Sequence, residues 1–380
     1  MQQSVSFLDL SREIQPIQEE IQTTLHTIIF KQTNFILGSD LEHFENNFAK
    51  YITTHYCVGV GNGTDAVEMA VQALQLQPSD EIITQANTYV ATCFGVTNNN
   101  NRNLILKLVD NDADTYQMDL DALEKSITAR TRAVIVVHLT GSCCDMTKLM
   151  DIISRHRLVL IEDCAQSHGA TFNGKRLGSF GLLSTHSFYP GKNLGAFGDG
   201  GAICTSDQDL DSMLRKRRNN GSIEKYRHEI MGRNSRLDTL QAAVLDIKLA
   251  RLDGNNVKRR RNAQLYCELL KNTQEVKLPR IVEGCTPVYH LFMIRAEKRD
   301  ELRNYLTQHG IGNGIHYPVC VAHLECYNKY FEAEKVDACV NAKANSECII
   351  SLPMFPDLTE TEIKQVCKCI VDFYVTKFPF

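Results

Sequence analysis

The chain of 380 residues has no tryptophan, only nine prolines, and almost no net charge: −4 with its histidines neutral. At a pI of about 6.3, no global field draws such a protein to nucleic acid or to an anionic membrane. Two basic clusters, Arg215–Arg218 and Lys258–Arg261, break that balance locally and read as charged helix faces or C-terminal turns. No apolar run approaches the length of a membrane span, and AVIVV at 133–137 reads as a buried strand. The opening MQQSVSFLDL lacks a basic stretch followed by an apolar one, so no secretory signal is visible and a cytoplasmic location is expected. CxxC is missing as well, and in that compartment the 14 cysteines are expected as reduced thiols.

One grouping of ligand-type side chains stands out, His316, Cys320, His323 and Cys326 in HYPVCVAHLEC. Four nitrogen and sulfur ligands over so short a span could hold zinc. There is no paired-knuckle spacing and no second half-site, so a loop presenting its histidines to a ligand is the better reading, and no metal is expected.

What the sequence does have is an ordinary soluble composition, 43% hydrophobic and 23% charged, in a chain long enough for one or two domains. Strand-like runs alternate with helical patterns over the first two thirds. HYCVGVGN leads into GTDAVEMAVQALQL, whose Val67, Met69, Ala70, Ala73 and Leu74 share one helical face. DEIIT, RAVIVVHL and HRLVLIEDC are further short β-rich cores ending in polar residues. This alternation predicts an α/β layer around a largely parallel sheet, with ligands bound beyond the carboxyl ends of the strands. NSRLDTLQAAVLDIKLARLD predicts one long helix with Leu237, Leu240, Val244 and Ile247 as its buried stripe. After Gly254 the pattern changes: PVYHLFMIRA alternates as a strand, RDELRNYLTQHG is a helix stopped by Gly310, and Thr359 with Glu362 forms a capping box. The expected division is a large domain over residues 1–251 and a smaller α+β domain over 252–380.

Several stretches carry chemistry. VGVGNGTDAV lies between a strand and a helix, but Thr64 stands where a dinucleotide fingerprint needs its third glycine. What remains is a helix N-terminus with backbone N–H groups at Gly63, Thr64 and Asp65, enough for one phosphate, or simply a helix capped by Thr64 or Asp65. LVLIEDCAQSHGA ends a buried strand on Asp163. SFYPGKNLGAFGDGG, residues 187–201, sets Lys192 among glycines that would leave room around its amine; Walker A is excluded there by His186 and Asn193. A single-phosphate cradle, an aromatic at Tyr89, a strand-end carboxylate and a glycine-flanked lysine are together the parts of a pyridoxal phosphate site.

EDCAQSHGA, SFYPGKNLGAFGDGGA and GRNSRLDTLQAAVL closely resemble the DegT–StrS family of pyridoxal phosphate-dependent sugar-nucleotide aminotransferases. IHYP, SLPMFPDLT and the opening FLDLSREIQPI…FILGSDLEHFE extend the resemblance over essentially the whole chain. The resemblance implies the aspartate-aminotransferase-like fold, called fold type I. It further implies Lys192 as the Schiff-base lysine, Asp163 as partner of the pyridine nitrogen, Gln166 beside the phenolic oxygen and Tyr89 stacked on the ring. Gly63, Thr64 and Ser187 match phosphate contacts, and Asn234 matches an asparagine reaching the phosphate from a neighbouring subunit, which makes a homodimer obligatory. Tyr189, Lys225, Tyr226, His316, Tyr317 and His323 match positions that approach the nucleotide sugar. The chain departs from the family where HLTGSCCDM replaces the more frequent HLYGQPADM, so Thr140 and Ser142 alter the expected pocket.

The activity so implied is a ping-pong transamination, alternating the pyridoxal and pyridoxamine forms of the cofactor. L-Glutamate is the donor and a dTDP-linked keto-6-deoxyhexose the acceptor, in deoxyamino-sugar biosynthesis such as that of lipopolysaccharide O-antigens. NSRLD and IHYP resemble members acting at C3 more than members acting at C4 of a dTDP- or UDP-linked sugar. A sugar dehydratase of the same fold would carry histidine in place of Lys192. A non-catalytic regulatory protein of the same fold would have a damaged cofactor site.

Overall fold

In a computed structural model the described residues are 4–98, 103–224, 226–327, 330–331 and 338–377. The strands are β1 (Tyr56–Val60), β2 (Glu81–Gln85), β3 (Ile105–Val109), β4 (Thr131–Val137), β5 (Val159–Asp163), β6 (Thr171–Phe172) and β7 (Lys175–Arg176). They continue with β8 (Leu183–Ser187), β9 (Gly201–Thr205), β10 (Val276–Lys277), β11 (Cys285–Thr286), β12 (Phe292–Ala296) and β13 (Ile349–Leu352). Seven of them form one sheet in the order β1-β9-β8-β5-β4-β2-β3. Only β9 runs antiparallel to its neighbours; β8, β5, β4, β2 and β3 pair in parallel. The Val- and Ile-rich runs belong to strands covered on both faces, and Val134, Ile135 and Ile161 are fully buried. The α/β class with a mainly parallel sheet is therefore as expected. Val60, Gln85, Val137, Asp163 and Ser187 all end strands on one side of the sheet, and that side carries the site.

A second sheet, β10-β12-β13, is antiparallel. It shares a core with the helices Leu252–Leu270, Arg299–Gln308 and Glu360–Lys377, including Tyr266, Phe292, Leu302 and Ile370. Val5 belongs to the same core, bridges to Ile311, and exchanges hydrogen bonds with Gly310 O (2.9 Å) and Gly312 N (2.8 Å). The capping box forms as expected: the Glu362 N–H donates to Thr359 Oγ1 at 3.2 Å and the Thr359 N–H to Glu362 Oε2 at 2.8 Å.

The single long helix expected from residue 234 to 253 is instead two. Asp238 stands just before a helix at Thr239–Leu249, and a turn closed by Arg251 N–H on Lys248 O (3.0 Å) leads into Leu252–Leu270. Gly254 lies inside that second helix, where a Cβ would touch nothing within 4 Å. The apolar stripe fades there because the buried face is polar: Arg259 donates to Tyr289 O and Met354 O (3.1 and 3.0 Å), and Asn262 to Phe355 O (3.0 Å). Arg215–Arg218 ends the helix Gln208–Arg218, with Arg215 and Arg218 both paired to the buried Glu45.

Candidate active site

Lys192 stands on the connection between β8 and β9, which is folded on itself. The Lys192 N–H donates to Tyr189 O (2.8 Å), Phe188 to Gly200 O (2.7 Å) and Ala196 to Phe188 O (2.8 Å). Gly191, beside Lys192, lines the cavity and leaves room there as expected, but Gly195 and Gly201 do not clear space around the amine. A Cβ on Gly195 would lie 2.2 Å from Pro190 O, and one on Gly201 2.4 Å from Asn62 O. They permit backbone to approach backbone, so that the lysine loop and the start of the helix Gly63–Ala73 can meet.

A cavity of about 560 Å³ opens at the carboxyl ends of the strands. Its walls include Gly63, Thr64, Tyr89, Asp163, Gln166, Ser187, Tyr189, Lys192, His316 and Tyr317, which the sequence nominated. Asn62 caps the helix Gly63–Ala73, its Oδ1 accepting from the Asp65 N–H at 2.8 Å. The cap is thus neither Thr64 nor Asp65, and the N–H groups left for a ligand are those of Gly63 and Thr64. Ser187 lies directly beside them: a Cβ on Gly63 would fall 2.6 Å from the Ser187 Cβ.

Asp163, at the end of β5, is buried and held by two donors. Thr92 Oγ1 donates to its Oδ2 at 2.7 Å and the Ala165 N–H to its Oδ1 at 3.1 Å. Thr88 Oγ1, 3.0 Å from Thr92 Oγ1, then serves as donor to that hydroxyl. Burial pushes the Lys192 ammonium down to about 8, with the charge of Asp163 pulling the other way. Gln166 is oriented on both sides, since its Oε1 accepts from the Thr140 N–H (2.7 Å) and its Nε2 donates to Tyr317 Oη (3.1 Å). The rings of Tyr89 and Tyr317 are 5.6 Å apart. His316 stacks on Phe7 and its Nδ1 lies 2.9 Å from Ser351 Oγ; burial, then the charge of Lys192, push it down to about 4.

A DegT/DnrJ/EryC1/StrS aminotransferase family model matches residues 15–371. The chain belongs to this family. It is 40% identical over 366 residues to a dTDP-3-amino-3,6-dideoxy-alpha-D-galactopyranose transaminase of Aneurinibacillus thermoaerophilus, covering 96% of this chain and 98% of that one. It is also 39% identical to a "pleiotropic regulatory protein" of Geobacillus stearothermophilus, covering 98% and 99%. Among solved structures, DesV of S. venezuelae in complex with a ketimine intermediate superposes with a TM-score of 0.93 at 39% identity, covering 97% of this chain and 98% of that one.

Not every nominated residue reaches the aminotransferase's cavity. Asn234 is exposed and bridges to Asn219, Tyr226 is exposed, His323 is half-buried on the turn Val321–His323, and none of the three is on its walls. Lys225 lies outside the described residues. The histidine–cysteine grouping does not gather either. His316 faces Ser351, Cys320 is buried with its Sγ 3.5 Å from Ala86 O, and Cys326 is exposed. His138, Glu162 and Cys164 do converge, all buried. Glu162 already accepts from the N–H groups of Gly178, Phe180 and Gly181, each at 2.7 Å, and from His138 Nε2 at 2.9 Å, which leaves it no lone pair for a metal.

Sequence reasoning missed Thr92, Phe7 and His290. In PVYHLFMIRA, His290 sits before β12 rather than in it, and it lines the cavity. Asn193 uses its Nδ2 to donate to Asn256 Oδ1 and Val288 O, so its Oδ1, 3.2 Å from His290 Nδ1, is the acceptor. His290 therefore carries its hydrogen on Nδ1, and burial with the nearby charge of Lys192 keeps the ring neutral.

Proposed function

We propose that the chain moves an amino group from L-glutamate to the C3 keto carbon of a dTDP-linked 3-keto-6-deoxyhexose, with pyridoxal 5′-phosphate as its resident cofactor. The observation that carries this is the half-buried Lys192 in one cavity with Asp163 and the Gly63–Thr64–Ser187 cradle. The donor set fits the cofactor: two helix-start N–H groups and a hydroxyl for one phosphate, an acid fixed by Thr92, and an amine that is partly neutral near physiological pH. When bound, the cofactor supplies an aldehyde for Lys192 and an electron sink. Lys192 Nζ takes the proton from the donor's Cα and returns it later in the cycle. Asp163 would hold a fixed negative charge for the pyridine nitrogen, Gln166 Nε2 would offer its second hydrogen to the phenolic oxygen, and Tyr89 would lie on the ring. Tyr189, His316 and Tyr317 line the cavity that would take the nucleotide sugar, and Tyr226, His323 and Lys225 stay in the proposal as further sugar contacts.

A homodimer belongs to the same proposal, with Asn234 completing the partner's phosphate site. Exposed apolar residues support it. Phe35 accepts from the Thr239 N–H and Phe197 donates to Gln241 Oε1, which puts both beside one helix end, with Ile36 and Leu37 next along the chain. The domain division at 251/252 stays part of the proposal, supported by two main cores whose membership crosses the boundary: Val5 joins the second, and Val321 and Tyr327 join the first. A cytoplasmic location accords with the cysteines all being free thiols.

The name of the Geobacillus relative favours a second reading, a regulatory protein on the same fold. Loading the protein with pyridoxal phosphate and adding glutamate separates the two, because the aminotransferase shifts its visible absorbance band and the regulator does not. End-point mass spectrometry with 3-keto and 4-keto dTDP sugars then tests the position, and formation of only the 4-amino product overturns the C3 assignment.

A further inference from the structure

The run Ser142-Cys143-Cys144 follows the Thr140 turn that orients Gln166, and it lies against β11. Ser142 Oγ is 3.5 Å from Cys285 Sγ, and Cys285 packs against the apolar cluster that holds Cys143. The backbones on either side run together: Val288 N–H donates to Gly141 O (2.9 Å) and Leu291 N–H to Thr140 O (3.4 Å). Cys143 is buried, whereas Cys285 is half-buried and open to solvent. The hydrogen bond from Cys143, opposed by burial and aided by the Ser142 hydroxyl, pulls the Cys285 thiol below its usual range and pushes its neighbour up. One thiol is thus poised to attack, with a second beside it to resolve the product. Cys57 and Cys204 also face each other across β1 and β9, but both are fully buried.

We propose that Cys143 and Cys285 are a redox-modification site that forms a reversible disulfide with a low-molecular-weight disulfide as oxidant. The Cys285 thiolate attacks one sulfur of oxidised glutathione, forming a mixed disulfide and expelling one glutathione thiolate. Cys143 then attacks the Cys285 sulfur and expels the second. Two protein thiols lose two electrons and two protons, and the oxidant gains them as two molecules of glutathione. The bond clamps the Thr140–Cys144 turn to the segment Cys285–Leu291. Leu139 and Gln166 on one side, and His290 and Leu291 on the other, are cavity walls, so the clamp acts on the site's rim.

The test treats the full-length protein with oxidised glutathione, traps remaining thiols by alkylation, and reads intact mass and linked peptides. The expected result is loss of two hydrogens and of two of the 14 alkylatable thiols, one linked peptide pair containing Cys143 and Cys285, and full reversal by dithiothreitol. C143S stops at the glutathione mixed disulfide on Cys285, and amide exchange in 139–144 and 285–291 slows several-fold in the oxidised wild type. Linked peptides at other cysteines, C143S and C285S losing the same two hydrogens as wild type, or glutathione added at Cys326 with Cys143 and Cys285 still alkylatable would each overturn the proposal.

Discussion

Replacing Thr92 with valine keeps the shape of the side chain and removes the hydroxyl that donates to Asp163 Oδ2 at 2.7 Å. A hydrogen bond to a charged acceptor is worth about 1.5–3 kcal/mol. At about 1.4 kcal/mol per factor of ten, Thr92→Val slows the glutamate half-reaction by about 10–100-fold if that bond is what aims the carboxylate. The Ala165 N–H remains on Oδ1 at 3.1 Å, and Thr88 Oγ1, 3.0 Å from the lost hydroxyl, can turn toward the acid. Both features place the expected loss in the lower half of that range, and Thr88→Val with Thr92→Val moves it to the upper half. Thr92→Ser keeps the donor and is expected within about threefold of wild type. The assay is stopped-flow absorbance of the cofactor band after mixing with glutamate, with a melting curve to separate misfolding from misaiming. If Thr92→Val runs at the wild-type rate, or Thr92→Ser falls as far as Thr92→Val, the reasoning is refuted.

Lys192→Ala abolishes turnover, measured with glutamate and a keto-sugar nucleotide. In the cofactor-free protein, labelling of Lys192 by an amine-selective reagent titrates with a midpoint near 8 rather than the usual 10.5. The sign for stability follows. Below about pH 8 both folded and unfolded chains carry this charge and the burial cost is fully present; between about 8 and 10.5 only the unfolded amine keeps its proton, so stability rises. Lys192→Met removes that rise in urea titrations across the window. Gly63→Ala forces a Cβ to within 2.6 Å of Ser187 and weakens pyridoxal phosphate binding by about 5–150-fold by equilibrium dialysis, as an overpacked contact costs about 1–3 kcal/mol. Glu162→Gln breaks a buried pair and turns one acceptor into a donor before N–H groups, lowering unfolding free energy by about 3–5 kcal/mol in denaturant titration.

Strands that are buried on both faces were legible as apolar runs, and a strand-end acid is legible because β5 stops at Asp163. β3, β8 and β9 were not separable: LSTHS and GAICT flank the lysine loop, and their polar or small residues give no apolar run to find. The lysine and acid were readable because each is a residue type out of place for its surroundings. Thr92 was not, since a threonine in the first turn of a helix is ordinary until the sheet brings Asp163 beneath it. Gly254 misled for a related reason, because the helix buries Asn256, Arg259 and Asn262 first and shows its apolar row only further on, at Ala263, Tyr266 and Leu270. Asn234 leaves the cavity of its own chain because it sits, exposed, beside the helix N-terminus, where Arg233 and Ser235 are tied to Asp65.

The pocket draws its walls from Phe7 near one end of the sequence to Met354 near the other, and the Met354 N–H donates to Phe7 O at 3.3 Å. A nascent chain emerging from the ribosome therefore holds Lys192 long before that wall exists, and the cavity closes only once residue 354 has returned to the segment around Phe7. Proteolytic loss of the segment around Phe7 after synthesis would reopen the same wall, leaving lysine and acid in place but facing water.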